Sequence, residues 1–251
     1  VGLREAKKNG AKIIAITNVV GSMAARESDG VLYTYAGPEI AVASTKAYTI
    51  QLMVLYLIAL YFAQVRGTLE PERAAELRSA LWELPQQAEI ILNDDRDIVS
   101  AAERYYCYNG FLYMGRGINL ASALEGALKI KEISYMHAEG YAAGEMKHGP
   151  IAIIDSDVSI VAIATRSRLY DKMASNCQEA KARGAQLIAL VTEGDPPLPG
   201  ADFTVKLPPV PELLSPLVNI IPLQLLAYHI ADLRGCDVDQ PRNLAKSVTV
   251  E

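Results

Sequence analysis

Two textures alternate along this chain. Short runs such as AKIIAIT (Ala11–Thr17), FLYMG (Phe111–Gly115), SIVAIAT (Ser159–Thr165) and Ala185–Thr192 are apolar almost throughout, not at every second position. Such runs predict strands buried on both faces, as in a parallel sheet. Between them lie stretches with helical spacing. Residues 3–9 read as the end of an amphipathic helix capped at Asn9-Gly10, Ser22–Ser28 as a short helix and Gly30–Ala36 as another strand. The apolar stretch Thr49–Val65 predicts a buried core helix ending at Arg66-Gly67. Interrupted by Gln51, it falls short of the ~20 residues a membrane span needs. Pro71 opens a helix over Ala74–Leu84; Pro85 is expected to break it, with a further helix running to about Tyr106. Next come a helix from Leu120, a small-residue loop with three glycines ending at His148-Gly149-Pro150, and a helix over Tyr170–Arg183. A short strand, Asp202–Leu207, and a second long apolar helix, Leu213–Arg234, close the pattern. Strands alternating with helices predict an α/β fold with a doubly wound parallel sheet.

The chain resembles itself. EAKKNGAKIIA (Glu5–Ala15) and EAKARGAQLIA (Glu179–Ala189) share seven of eleven residues, and each is followed by a short strand and a long apolar helix ending in Arg-Gly. Two copies of one α/β domain are therefore expected. About seventy residues separate the strand at Phe111–Gly115 from Gly184, whereas nine precede Gly10, so the first copy is expected to lack its N-terminal part. A partial sheet exposes apolar strand edges, which calls for a missing segment or a compensating partner. The resulting division is 1–68 for the remnant of the first domain, 69–108 for a helical connector, 109–236 for the second domain and 237–251 for a polar tail.

Composition narrows the function. The net charge is −5 and no basic block occurs, which removes the electrostatic footprint of nucleic-acid binding. Three widely spaced cysteines, Cys107, Cys177 and Cys236, predict buried thiols in a reducing, cytoplasmic compartment, with neither a disulfide framework nor a zinc site. No signal peptide is visible, and no membrane partner or cofactor is implied.

Candidate chemistry concentrates in Leu120–Asp155. Glu125, Lys129 and Glu132 share one helix face. They form either a solvated ion-pair row or, because their neighbours are Ala, Leu, Ile and Gly, a buried pair that needs a functional reason. A carboxylate held beside a lysine can act as a general base. His137 and His148, with Glu139 and Glu145, fit no standard metal-ligand spacing. His148 is either a ligand-reaching or a structural imidazole, and His229, in an apolar helix, reads as a packing residue. Gly115-Arg116-Gly117, a glycine turn opening a helix, is a candidate anion site.

The stretch ALEGALKIKEISYMHAEGYAAGEMKHGPIAIID, the tail DVDQPRNLAKSVTVE and GPEIAVASTKAYTIQL together resemble the isomerase half of the glutamine–fructose-6-phosphate aminotransferase (glucosamine-6-phosphate synthase) family. The resemblance covers all 251 residues. It implies two flavodoxin-like sugar isomerase (SIS) domains acting on fructose 6-phosphate to give glucosamine 6-phosphate. It also implies a homodimer with shared active sites and an N-terminal glutaminase domain that supplies ammonia. By the same resemblance Glu132 matches the base that moves a proton between C1 and C2, and Lys129 its neighbouring lysine. His148 matches a ring-opening histidine that serves the adjoining subunit, and Lys246 the Schiff-base lysine. Val42, Ser44 and Ala245 match sugar-contacting positions. The family's phosphate loop, close to S-x-S-G-x-T, is not found, so these residues alone are expected to be impaired. A non-catalytic SIS-type sugar-phosphate regulator is the alternative; the joint presence of Glu132, His148 and Lys246 speaks for the enzyme.

Overall fold

The structure, a computed structural model, describes residues 2–246. It divides into two compact units, Val1–Ile40 with Ser44–Glu76, and Ala41–Ala43 with Leu77–Glu251.

In the first unit, α1 (Gly2–Lys8) leads through Gly10, at φ 78°, into β1 (Ile14–Thr17). Ser22 caps α2 (Met23–Glu27), its side chain accepting the N–H of Ala25, and β2 (Gly30–Tyr33) pairs parallel to β1. α3 (Lys46–Val65) follows. The burial expected here is not found. No residue of β1 is buried, and α3 has no buried residue along its 20. The physical cause is that two strands make too small a sheet to cover a helix apolar all round. Ile14, Ile16, Leu32, Val54, Leu57 and Tyr61 instead line an open apolar cavity of about 770 Å³. α3 is also longer than the run marked in the sequence. It and the helical segment Glu212–Leu233 are both long and apolar enough to cross a membrane, the second being 72% buried within the protein.

α4 (Pro71–Asn93) crosses the boundary at residue 76 and enters the second unit. Pro85 does not break it: the helix continues to Asn93 and the break falls at Asp94-Asp95. Proline removes one backbone donor. Leu81, Leu84 and Ile91, all buried, hold the helix on either side of that loss.

After α5 (Arg96–Tyr105) the second unit forms a five-stranded parallel sheet. Its strands are β3 (Gly110–Gly115), β4 (His137–Ala142), β5 (Val158–Ile163), β6 (Gln186–Thr192) and β7 (Phe203–Leu207), in spatial order β4-β3-β5-β6-β7. The helices are α6 (Asn119–Ser134), α7 (Tyr170–Lys181) and α8 (Ser215–Leu233). β3 is buried at every position, as its unbroken apolar run predicts. The β6–β7 pair, reached through Gly184 at φ 92°, repeats the β1–β2 pair reached through Gly10. The sequence repeat is thus a repeat of structure.

β4 replaces the first part of the expected loop. His-Ala-Glu-Gly-Tyr-Ala has little strand propensity. Parallel pairing with β3 and close packing under α6 impose the strand. A Cβ on Gly140 would stand 2.8 Å from the Cα of Leu124, so glycine is what allows this approach. Two 3-10 turns, Ala143–His148 and Pro150–Ile153, complete the segment.

Candidate functional site

α6 starts immediately beyond β3. The turn is tight: a Cβ on Gly115 would fall 2.3 Å from the carbonyl oxygen of Asn119. Asn119 is buried and closes this end of the sheet. Its Nδ2 donates to Thr165 Oγ1 at 3.2 Å, while its Oδ1 accepts from Ser215 Oγ at 3.1 Å and Asn219 Nδ2 at 3.0 Å. The Arg116 guanidinium donates to Asn176 Oδ1 at 3.0 Å. Within the turn that the sequence offered as an anion site, the N–H groups of Asn119 and Leu120 donate to the carbonyls of Arg116 and Gly117, at 3.1 and 3.2 Å.

The functional cluster begins six residues beyond Asn119, at Glu125. Lys129 Nζ lies 3.1 Å from Glu125 Oε1 and 2.7 Å from Glu132 Oε2. The lysine side chain is 4% exposed, against 14% for Glu125 and 22% for Glu132. This is a buried triad, not the solvated row that spacing alone allowed. Of the two carboxylates, Glu132 is the more accessible. Burial pushes the Glu125 carboxyl above the usual carboxylate range; Lys129 opposes that rise and Glu132 adds to it.

α6 ends at Tyr135, in the left-handed conformation at φ 60°. That geometry turns the phenol toward the tail. Its hydroxyl accepts the backbone N–H of Arg242 at 2.8 Å, and the Arg242 guanidinium lies 4.2 Å from the ring centroid. Four residues later Lys246 Nζ donates to the carbonyl of Ala41 at 2.7 Å, and the N–H of Val42 donates to the carbonyl of Asp239 at 2.9 Å. The tail therefore gathers Lys246 and Val42 on one short stretch of backbone. Ala245 is exposed beside Lys246; Ser44, half-buried, follows this stretch after Ala43. Ser247–Glu251, the end of the tail singled out in the sequence, lie outside the described residues.

His148 ends the first 3-10 turn, exposed, and Gly149 follows at φ 150°. His229 is more than a packing residue, because its Nε2 is 2.8 Å from Asp95 Oδ2 at the start of α5. Of the cysteines only Cys177 is buried as expected, and burial pushes its thiol up to about 12; Cys107 is exposed. Sequence reasoning missed Tyr135 and Arg242. A large aromatic at a helix end followed by Met-His carries no C-cap signal, and Gly or Asn is the usual residue there.

The sequence matches the SIS domain family over residues 1–61 and 105–233. It is 50% identical over 250 residues to the glutamine–fructose-6-phosphate aminotransferase (isomerizing) of Clostridium tetani, covering 99% of this chain and 41% of that protein. The enzyme of the same description from Thermococcus kodakarensis is 53% identical over 249 residues, with the same coverage of 99% and 41%. Among solved structures, the C-terminal domain of glucosamine-fructose-6-phosphate aminotransferase from Francisella tularensis superposes with a TM-score of 0.91 at 39% identity. The match covers 95% of this chain and 68% of that one. The fold and these matches define an SIS-domain protein. More narrowly, the chain belongs to the SIS domain family in the branch formed by the C-terminal half of glutamine–fructose-6-phosphate aminotransferases. It spans about two fifths of the length of the curated relatives, 41% for the two named.

Proposed function

We propose that this chain is the ketose/aldose isomerase half of a glucosamine-6-phosphate synthase. In that role it converts fructose 6-phosphate, with ammonia released from glutamine by a separate glutaminase domain, to glucosamine 6-phosphate. The observation that carries the proposal is the Lys129–Glu132 pair, 2.7 Å apart, with its lysine buried and its carboxylate reachable. A carboxylate so placed on a rigid helix suits proton transfer between adjacent sugar carbons, the step an aldose–ketose conversion needs. Lys129, 2.7 Å away, fixes the Glu132 carboxylate and polarises the neighbouring sugar oxygen. Lys246, gathered beside Val42 by the tail, is the amine that forms a Schiff base with the open-chain ketose. Val42, Ser44 and Ala245 contact the sugar. His148, exposed, opens the sugar ring in the site of a second subunit, which makes the working unit a cytoplasmic homodimer. The functional division follows 1–68, 69–108, 109–236 and 237–251. The S-x-S-G-x-T phosphate loop does not occur in these 251 residues, and little isomerisation is expected from them alone.

The test uses the full-length enzyme without glutamine. It should isomerise fructose 6-phosphate to glucose 6-phosphate, and Glu132→Gln should abolish this while leaving sugar binding nearly intact. Binding without turnover in the unsubstituted enzyme would favour the regulator reading instead.

A further inference from the structure

The turn that carries His148 has three faces, and two of them are held by the rest of the fold. Ala143–His148 is a 3-10 helix, in which residues three apart lie one above the other. Ala143 and Met146 form the first face. Both are buried, in a cluster with Met173, Cys177 and Ala180 of α7. Gly144 and Lys147 form the second. Lys147 Nζ lies 2.9 Å from Glu179 Oε1 on α7, and the Arg116 guanidinium lies against Gly144, where an added Cβ would stand 2.8 Å from its Nη2. Glu145 and His148 form the third face, and both are exposed.

The second face closes into a chain of polar contacts. Arg116 Nε donates to Asn176 Oδ1 at 3.0 Å, Asn176 Nδ2 donates to Glu179 Oε2 at 3.5 Å, and Glu179 Oε1 meets Lys147. Asn176 is buried, so the chain hangs from a fixed point. The hydrogen bond from Lys147 holds the Glu179 carboxyl below its ordinary value of 4.5. The internal repeat shows that this contact is particular to the second copy. Glu179 corresponds to Glu5, which pairs at 3.5 Å with Lys8 in its own helix. The counterpart of Lys8 is Ala182. With alanine three residues on, the glutamate of the second copy reaches across to the turn instead.

The Lys147 side chain is 58% exposed and that of Glu179 25%, and an ion pair this open adds little to stability. What it adds is direction. Ala143 and Met146 fix how deep the turn sits, but a turn resting on two apolar side chains can roll about that contact. The Lys147–Glu179 pair stops the roll, and rolling is the motion that would displace His148, the next residue. We infer that Glu179 is a positioning residue for the opening of the sugar ring. Through Lys147 it sets the rotation of the turn, and with it the direction in which the His148 imidazole projects. The inference rests on the isomerase reading, in which His148 opens the ring, and deepens it. Glu179 acts through Lys147 and not on the sugar.

The test uses the full-length enzyme without glutamine and two substrates. Fructose 6-phosphate must be opened before it isomerises; 5-deoxyfructose 6-phosphate lacks the hydroxyl that closes the furanose ring and is always open. Glu179→Ala and Lys147→Met should each lower kcat on fructose 6-phosphate about 10-fold or more with KM within about twofold, and leave turnover of the open-chain substrate within about twofold of wild type. A merely structural defect would lower both. Equal loss on the two substrates in Glu179→Ala, or no loss on either, overturns the inference. If Glu179→Ala does not fold, Lys147→Met, at an exposed position, decides alone by the same criterion. His148→Ala is the control and should be selective in the same sense. A His148→Ala enzyme without that selectivity removes the ring-opening role of His148 and the inference with it, whereas a selective His148→Ala beside an unselective Glu179→Ala sinks only the role of Glu179.

Discussion

The hydroxyl of Tyr135 accepts the backbone N–H of Arg242, 2.8 Å away across 107 residues of sequence. This bond ties the end of the helix that carries Lys129 and Glu132 to the tail that carries Lys246. Tyr135→Phe keeps the ring under the guanidinium and removes the acceptor. It should cost about 1 kcal/mol. Amide exchange at Arg242 and tryptic cleavage after it should both accelerate, and isomerase activity should fall without loss of α6 structure. Unchanged exchange at Arg242 would show that the tail is held by other contacts.

Three glycines around α6 should respond unequally to alanine. At Gly115 and Gly140 the added Cβ meets backbone, at 2.3 Å from Asn119 O and 2.8 Å from Leu124 Cα. At Gly126 it meets the side chains of Tyr113 and Leu223, at 2.8 and 2.9 Å. Side chains yield more readily than backbone, and alanine favours the helix at Gly126 by about 1 kcal/mol over glycine. Urea denaturation should rank the losses Gly115→Ala above Gly140→Ala above Gly126→Ala, the first two at or beyond the ~1–3 kcal/mol of ordinary overpacking.

The Glu125 carboxyl lies above its ordinary value of 4.5 because of burial. The folded state therefore binds this proton more tightly than the unfolded state, so the Glu125 contribution to stability rises as pH falls toward 4.5 and is lost as pH climbs through the raised value. Wild type should gain stability relative to Glu125→Gln on acidification from neutral pH. Thermal melts of both proteins across that window check the sign. Lys129→Met, which strands two carboxylates together, should cost about 3–5 kcal/mol at neutral pH and less in acid.

The cysteines differ in kind. A thiol reagent at mildly alkaline pH should label Cys107, which is exposed, at once. Cys177, buried and pushed up to about 12, should react only on unfolding. Mass mapping of labelled peptides separates the two.

Much of the second unit was legible because burial there is two-sided. β3, β5 and β6 are apolar without alternation; α6 starts one residue before the expected Leu120, and α7 starts at the expected Tyr170 and ends two residues short of Arg183. β4 was hidden because its strand is imposed by pairing and by the missing Cβ of Gly140, not by propensity. Pro85 misled because packing of Leu81 and Leu84 outweighs one lost hydrogen bond. The exposure of α3 was not visible in its composition: an apolar helix reads alike whether two strands or five lie against it. In the site, the i, i+3, i+4 spacing revealed Lys129 with both glutamates. The lean of its ammonium toward Glu132 and the turn of Tyr135 toward the tail depend on contacts far apart in sequence.

The central claim is that Glu132 moves a proton between adjacent carbons of the sugar. Its most direct test is hydrogen exchange. Fructose 6-phosphate is incubated with the full-length enzyme in deuterated water without glutamine, and deuterium at C1 and C2 is followed by NMR. The account predicts deuterium incorporation by the unsubstituted enzyme and none by Glu132→Gln, with sugar binding preserved. Equal incorporation by both would contradict it.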